Sequence, residues 1–375
     1  MYGHAARDPL MIPVLAYIAM GFLGIRALVV LVNFLFHHRL PDPGGKAEKT
    51  LSILIPARNE ENNLGRILDC VLNQDYKDIE VWVCNDHSTD GTQAILEDYS
   101  KAHPEIRWFQ GQELPPGWTG KNFACHQLAE RASGDSLLFV DADMEIHEDL
   151  LIKMLGFMKK RNLALLSIFP RQLLVSRGEQ ATVPVMNWIL LSLLPLPMVT
   201  YGLRSSFSAA NGQFMMFRAN VYHKLQPHSI VRSSAVEDIE IMTLLKKAHY
   251  RCATLLGDHR VQCRMYHNYR EAIAGFSKNV LHFFSGSLPW ALFYIFFTTF
   301  GLMLIALWSL PFFLAALSVA LTCRVLISLM SRQHVFRNLV MVPLQHFSFL
   351  WMVEKSLVQK SRGSLSWKGR EIPLK

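Results

Sequence analysis

The 375-residue chain places acidic residues where packing alone gives no reason for them. Asp141-Ala142-Asp143 closes the apolar run SLLFV. Two carboxylates flanking a small residue at a buried strand's exit suit a hard divalent cation. Mg2+ or Mn2+ is held by one or two such groups plus substrate phosphates, and neutralises charge on a departing diphosphate. Glu237-Asp238 opens VEDIEIMTLLKKAHYR, whose apolar residues recur at helical spacing. The pair either complements the helix dipole, with Ser233 or Ser234 as N-cap, or supplies a general base, Asp238, for an acceptor hydroxyl. Asp86 and Asp90 in NDHSTDGT follow another strand. They serve either as caps of the next helix or as acceptors for a ribose or uracil-type ring.

Lys121 in PPGWTGKNFAC is either a solvated loop lysine or a cation brought to phosphate by a Gly/Pro-rich loop. Asn211-Gly212-Gln213 make a turn or, on the acceptor side, permit close approach to a ligand. Arg264 in QCRMY is a possible phosphate clamp. The fifteen histidines show no HExxH spacing, and the six cysteines show no CxxC pair. Scattered thiols fit a reducing compartment rather than a disulfide framework.

The elements that position these residues follow from periodicity. LSILIPA, IEVWVCND and SLLFVDAD are apolar throughout and alternate with the amphipathic stretches ENNLGRILDCVLNQ and GTQAILEDYSKA. That predicts a parallel, doubly wound α/β sheet covered on both faces, with ligands beyond the carboxyl ends of its strands. Hydrophobic residues make up 51% of the chain and charged ones 18%, an apolar excess for a soluble domain. The excess sits in 10–36, 287–330 and 336–352. Residues 10–36 are long enough to cross a bilayer and too long for a signal peptide's apolar core. Arg26 within them must face protein or snorkel. Residues 288–308 and 310–330, hinged at Pro311, make two further spans. Residues 183–199, broken by prolines, are expected at the interface, and 336–352 as interfacial or re-entrant. The domains expected are an N-terminal anchor (1–40), an α/β domain (41–285, entered through a Pro/Gly linker at 41–50), C-terminal helices (286–352) and a basic tail (353–375). Formal charge is +8. Arg39, Lys46, Lys49, Arg332, Arg337 and the tail's Lys355, Lys360, Arg362, Lys368, Arg370 and Lys375 flank apolar segments. They form no aromatic-interleaved stripe, so anionic lipid rather than nucleic acid is the expected partner. The positive-inside rule then places domain and tail in the cytoplasm.

In order, SILIPARNEE, NDHSTDGT, TGKNFA, DADM, NGQFMMFR, EDIEIMTLLKKAHYR and CRMYHNYREAIAGFSKN resemble the family-2 glycosyltransferases of GT-A fold. Within them the chain looks closest to membrane-bound carotenoid-acid and hopanoid-associated glycosyltransferases, including the late WKGREI. The resemblance implies that Pro56, Arg58, Glu60 and Asp86 line the nucleotide pocket and that Lys121 approaches the diphosphate. It further implies that Asp141 contacts the nucleotide, Asp143 the metal, and that Asp238, beside Glu237, is the base. It implies a nucleotide-sugar donor, a UDP-hexose, and a lipid or terpenoid acceptor at the inner cell membrane of a multi-pass protein. QCRMY lacks the tryptophan of the processive QxxRW signature, so a single transfer is expected.

Three rival readings remain at this point. One is a polysaccharide or polyprenyl-phosphate transferase, separated by product length. Another is a catalytically silent membrane scaffold, against which the intact acidic positions argue. A nucleotidyltransferase is disfavoured by the missing N-terminal Gly-rich phosphate loop.

Overall fold

The computed structural model describes residues 11–37, 40, 50–202, 204–361, 364–367 and 370–373. The linker over 41–49 and the basic residues Arg39, Lys46, Lys49, Arg362, Lys368 and Lys375 lie outside the described residues. The chain divides into two compact units. A sheet unit comprises 37–173, 196–265 and 359–375, and a helical unit comprises 1–36, 174–195 and 266–358.

In the sheet unit the strands are β1 (Leu51–Ala57), β2 (Ile79–Asn85), β3 (Ile106–Gln110), β4 (Ser136–Val140), β5 (Met144–Ile146), β6 (Leu165–Phe169), β7 (Arg171–Gln172), β8 (Phe214–Arg218), β9 (Cys252–Leu256) and β10 (Val261–Cys263). Seven of them form one sheet in the order β3-β2-β1-β4-β8-β6-β9. Parallel pairings join β3, β2, β1 and β4, and also β6 and β9; only β8 runs against the rest. The expected mostly parallel α/β sheet is therefore present. Its strands are apolar throughout because both faces are covered: all of β4 and six of seven β1 residues are buried.

Strand order reverses at β1, with β2 on one side and β4 on the other. At such a switch point the crossover connections part and leave a crevice beyond the strand ends. Residues 58–60, 85–86 and 141–143 all issue from that edge. The antiparallel β8 has the opposite polarity, so its leading residues 211–213 arrive at the same edge. A small sheet, β5-β10-β7, is set beside this edge by the turn at 141–144.

In the helical unit, three helices among the described residues are long and apolar enough to cross a membrane: Met11–Phe36, Leu288–Trp308 and Leu310–Met330. Ser309 alone separates the last two, with Pro311 at the start of the second. Small residues let these helices approach, as where Ala19 lies 3.4 Å from the position a Gly301 side chain would take. The segment expected at 183–199 is two short helices, Pro184–Leu193 and Pro197–Tyr201. The first belongs to the helical unit, where Trp188 is buried and the Asn33 amide donates to the carbonyls of Leu191 and Leu194. Residues 336–352 fall in helices Val335–Val340 and Val342–Ser361.

Candidate active site

Four elements of the sheet unit converge on Gly212. Lys121 is in the first turn of the helix Gly120–Arg131, where Thr119 caps the start by accepting from the Asn122 N–H. Its Nζ donates to Asp141 Oδ2 at 2.8 Å and to the Gly212 carbonyl at 3.1 Å, and lies 3.5 Å from Glu237 Oε1. The Gly212 N–H in turn donates to Asp238 Oδ2 at 2.9 Å. One residue's backbone thus bridges the lysine and the second carboxylate. A side chain there would displace the glutamate: a Cβ on Gly212 would stand 2.7 Å from Glu237 Oε1.

Asp143 is held separately. The Gln213 amide Nε2 is 3.2 Å from both of its carboxylate oxygens and 3.1 Å from Cys263 Sγ. Gln213 is 7% exposed and its Oε1 is a buried acceptor without a hydrogen-bond partner. Asn211 fixes this turn, accepting the Gln213 N–H at 2.8 Å while its own N–H donates to Ser167.

The charges perturb each other. Burial disfavours the Lys121 ammonium, but Asp141 and then Glu237 outweigh it and hold Lys121 above its usual range. Burial pushes the Glu237 and Asp238 carboxyls up. Lys121 opposes this for both, and the N–H groups of Ile239 and Gly212 oppose it at Asp238. Burial, then the charges of Asp141 and Glu60, raise Asp143 to about 7. A carboxylate so destabilised by neighbouring negative charge gains most from a cation. Among the described residues no group of three His, Cys, Asp or Glu is placed to hold a metal ion. Asp143 with Asp141 still fits a Mg2+-type ion, which needs only one or two protein carboxylates when phosphates complete its shell.

A second cluster lies at the ends of β1 and β2. Arg58 donates to the Asp86 carbonyl at 2.6 Å and stands 4.0 Å from its carboxylate, which is largely buried. Glu60 accepts from Asn63, and Pro56 pairs in register with Cys84. Asp90 serves structure: it accepts from the Thr92 N–H and hydroxyl and from the Glu61 N–H. Arg264 follows Cys263 at the end of β10.

Ser233 and Ser234 do not cap the helix Glu237–Lys247. Val236 occupies the N-cap without a side-chain bond, and Ser234 Oγ accepts the Val236 N–H instead. Asp238 turns one oxygen to the Ile239 N–H and the other to Gly212. Two residues went unread in the sequence. Cys263 lies against the group that holds Asp143. Asn122 is fully buried and donates to the carbonyls of Val231, Arg232 and Ser234. It ties the lysine's helix to the segment leading into Glu237-Asp238. An asparagine directly after the loop lysine was its only signal.

Residues 52–225 match the family model "Glycosyl transferase family 2". A 4,4'-diaponeurosporenoate glycosyltransferase of Staphylococcus haemolyticus is 23% identical over 63% of this chain and 62% of its own length. The enzyme of that name from Staphylococcus aureus (strain bovine RF122 / ET3-1) is 35% identical over 26% of this chain and 24% of its own. The match therefore spans less than two thirds of either relative. Among solved structures, a mannosyltransferase from Pyrobaculum calidifontis in complex with GDP-Man and Mn2+ aligns over 93% of this chain and all of its own. Its TM-score is 0.60 at 16% identity, a likeness of fold. The sheet that carries the acidic residues and the lysine is thus similar in fold to that mannosyltransferase, and residues 52–225 are similar to the glycosyl transferase family 2 model.

Proposed function

We propose that the protein is a membrane-bound, inverting glycosyltransferase that moves one hexose from a nucleotide-sugar, a UDP-sugar, to a lipid-like acceptor such as a carotenoid acid. The observation that carries this reading is the gathering of Asp141 and Glu237 on Lys121, which the backbone of Gly212 joins in turn to Asp238. In this reading Arg58, Glu60, Asp86 and Pro56 line the nucleotide pocket, with Arg264 as a phosphate clamp. Lys121 moves part of its charge from Asp141 to the diphosphate. Asp143, with Asp141, would hold Mg2+ or Mn2+, which when bound supplies positive charge to the leaving diphosphate. Asp238, made more basic by burial, takes the proton of the acceptor hydroxyl, or orients an acceptor carboxylate already ionised. Asn211, Gly212 and Gln213 form the acceptor side of the site. Displacement proceeds with oxocarbenium character at the anomeric carbon, and the water-poor setting strengthens each charge interaction.

The three apolar helices support a multi-pass membrane protein, and the basic residues flanking the apolar segments support a sheet unit on the cytoplasmic side of the inner membrane. The test is purified protein in nanodiscs with Mn2+ and a panel of nucleotide-sugars, scoring sugar release and labelling of lipid. Labelling of an acidic terpenoid with one sugar per acceptor is expected. Failure to bind any sugar nucleotide with or without metal ends this reading, and chain extension would move it to a polysaccharide synthase.

A further inference from the structure

Two arginines lie inside the apolar helices of the helical unit, and neither has a carboxylate partner among the described residues. Arg26, in Met11–Phe36, donates to the hydroxyls of Ser192 (3.2 Å) and Tyr294 (3.3 Å), its guanidinium 5.0 Å from the Tyr294 ring centroid. Arg324, in Leu310–Met330, donates to Gln345 Oε1 at 2.8 Å and covers the Trp188 ring at 4.2 Å. The two rings stack on each other with centroids 6.3 Å apart, so the arginines sit on adjoining plates. Tyr294 and Arg324 each lie about 9 Å along their helices from the ends at Leu288 and Met330. That depth is inside the apolar layer, where an arginine ordinarily turns to the headgroups or meets an anion.

An independent observation points to a missing acceptor. Trp188 is 2% exposed, yet its indole N–H has no hydrogen-bond partner. A buried donor left unmade costs about 1–3 kcal/mol. Around the two cations the neighbours carry no negative charge: the Tyr294 and Ser192 hydroxyls, the Trp188 N–H, and His346, whose ring is 5.1 Å from that of Trp188. Like charges gathered beside an unmade N–H donor, with no counter-ion among the described residues, form the complement of an oxyanion.

We propose that Arg26 and Arg324, with the Trp188 N–H and the Tyr294 hydroxyl, bind the acidic group of a long-chain lipid within the membrane layer. The ligand is a carboxylate or phosphate carried on an apolar chain, whose tail lies among the surrounding helices. This inference rests on the membrane-spanning reading of these helices and not on the transfer chemistry.

The test uses the full chain in nanodiscs of phosphatidylcholine alone, titrated separately with oleic acid, its methyl ester and phosphatidylglycerol, with bound lipid counted by native mass spectrometry. Saturable binding of oleate over the ester is expected, weakened about tenfold or more by Arg324→Gln or Arg26→Gln. Binding of phosphatidylglycerol in preference to oleate, with the same dependence on both arginines, supports the site and assigns it to a phospholipid. Equal uptake of acid and ester, or unchanged binding in both variants, overturns it. Arg324→Lys retains the charge and is expected to keep more binding than Arg324→Gln. Should the glutamine variants fail to fold, the acid-against-ester comparison on the native chain decides. Lipid counting needs no turnover, so absence of sugar transfer leaves this result standing, and the converse holds.

Discussion

Replacing Gly212 by alanine adds one methyl group at the point where the lysine and acidic residues meet. The new carbon would lie 2.7 Å from Glu237 Oε1, 3.4 Å from Lys121 Nζ and 3.6 Å from Asp238 Cβ. Non-bonded heavy atoms settle nearer about 3.5 Å, so the glutamate oxygen must retreat by about 0.5–0.8 Å. Its contact with Lys121 is already 3.5 Å and has little to lose before it is gone. The same shift strains the 2.9 Å bond from the Gly212 N–H to Asp238. A hydrogen bond to a charged group is worth about 1.5–3 kcal/mol. Losing most of one such contact in the transition state slows turnover by about 10–100-fold. The backbone is not the obstacle, because Gly212 lies outside the left-handed region. Thermal stability should therefore fall only slightly. The assay is kcat and KM for donor consumption in nanodiscs beside a melting curve, with Gly65→Ala as control. A Cβ at Gly65 meets only Tyr99, at an ordinary 3.4 Å. A Gly212→Ala enzyme turning over at the native rate would refute the assignment of this cluster to the chemistry.

Asp143→Ala and Asp238→Asn should each lower kcat by about 10³-fold or more with the fold intact by circular dichroism. Normal turnover by either variant removes that residue from its assigned role. Asp143 keeps its proton in the folded chain up to about 7, whereas an unfolded aspartate releases it near about 4. Its contribution to stability is thus present at low pH and lost as pH rises through that window. Melting temperature should then gain more from Mn2+ at pH 8 than at pH 5.5, and an equal gain at both would contradict the carboxylate's environment. Asn122→Ala removes three bonds to carbonyls ahead of Glu237 and should cost about 1–3 kcal/mol by denaturant unfolding, together with a fall in kcat. Loss of stability with kcat unchanged would confine Asn122 to folding.

The strands that carry the site could be read because burial on both faces leaves an uninterrupted apolar run: LSILIPA ends where the structure ends it, whereas SLLFVDAD stops at Val140, before its acidic residues. Asp141 and Asp143 stood out for the same reason: charge abutting such a run is costly without a task, whereas Asp238 could equally have served the helix dipole. Reversal of β8 was invisible, since FMMFR is equally buried in either direction. The two- and three-residue strands β5, β7 and β10 are too short to display any period. Cap geometry at Ser234 turned on a backbone conformation that composition does not specify. Asp90 and Lys121 illustrate the limit of local reading. Both lay in loops with a bland alternative, and only tertiary contacts assigned one to capping and the other to the acidic cluster.

On the proposed topology, the turn at Ser309 constrains what the far face of the bilayer can see. With Leu288–Trp308 and Leu310–Met330 embedded, a single serine joins them, and Ser309 donates its N–H to Ile305 within the preceding helix. The hairpin therefore offers no loop for a glycan, a protease or an extracytoplasmic binding protein to engage. Impermeant reagents added from that side should leave this pair of helices unmarked and uncut.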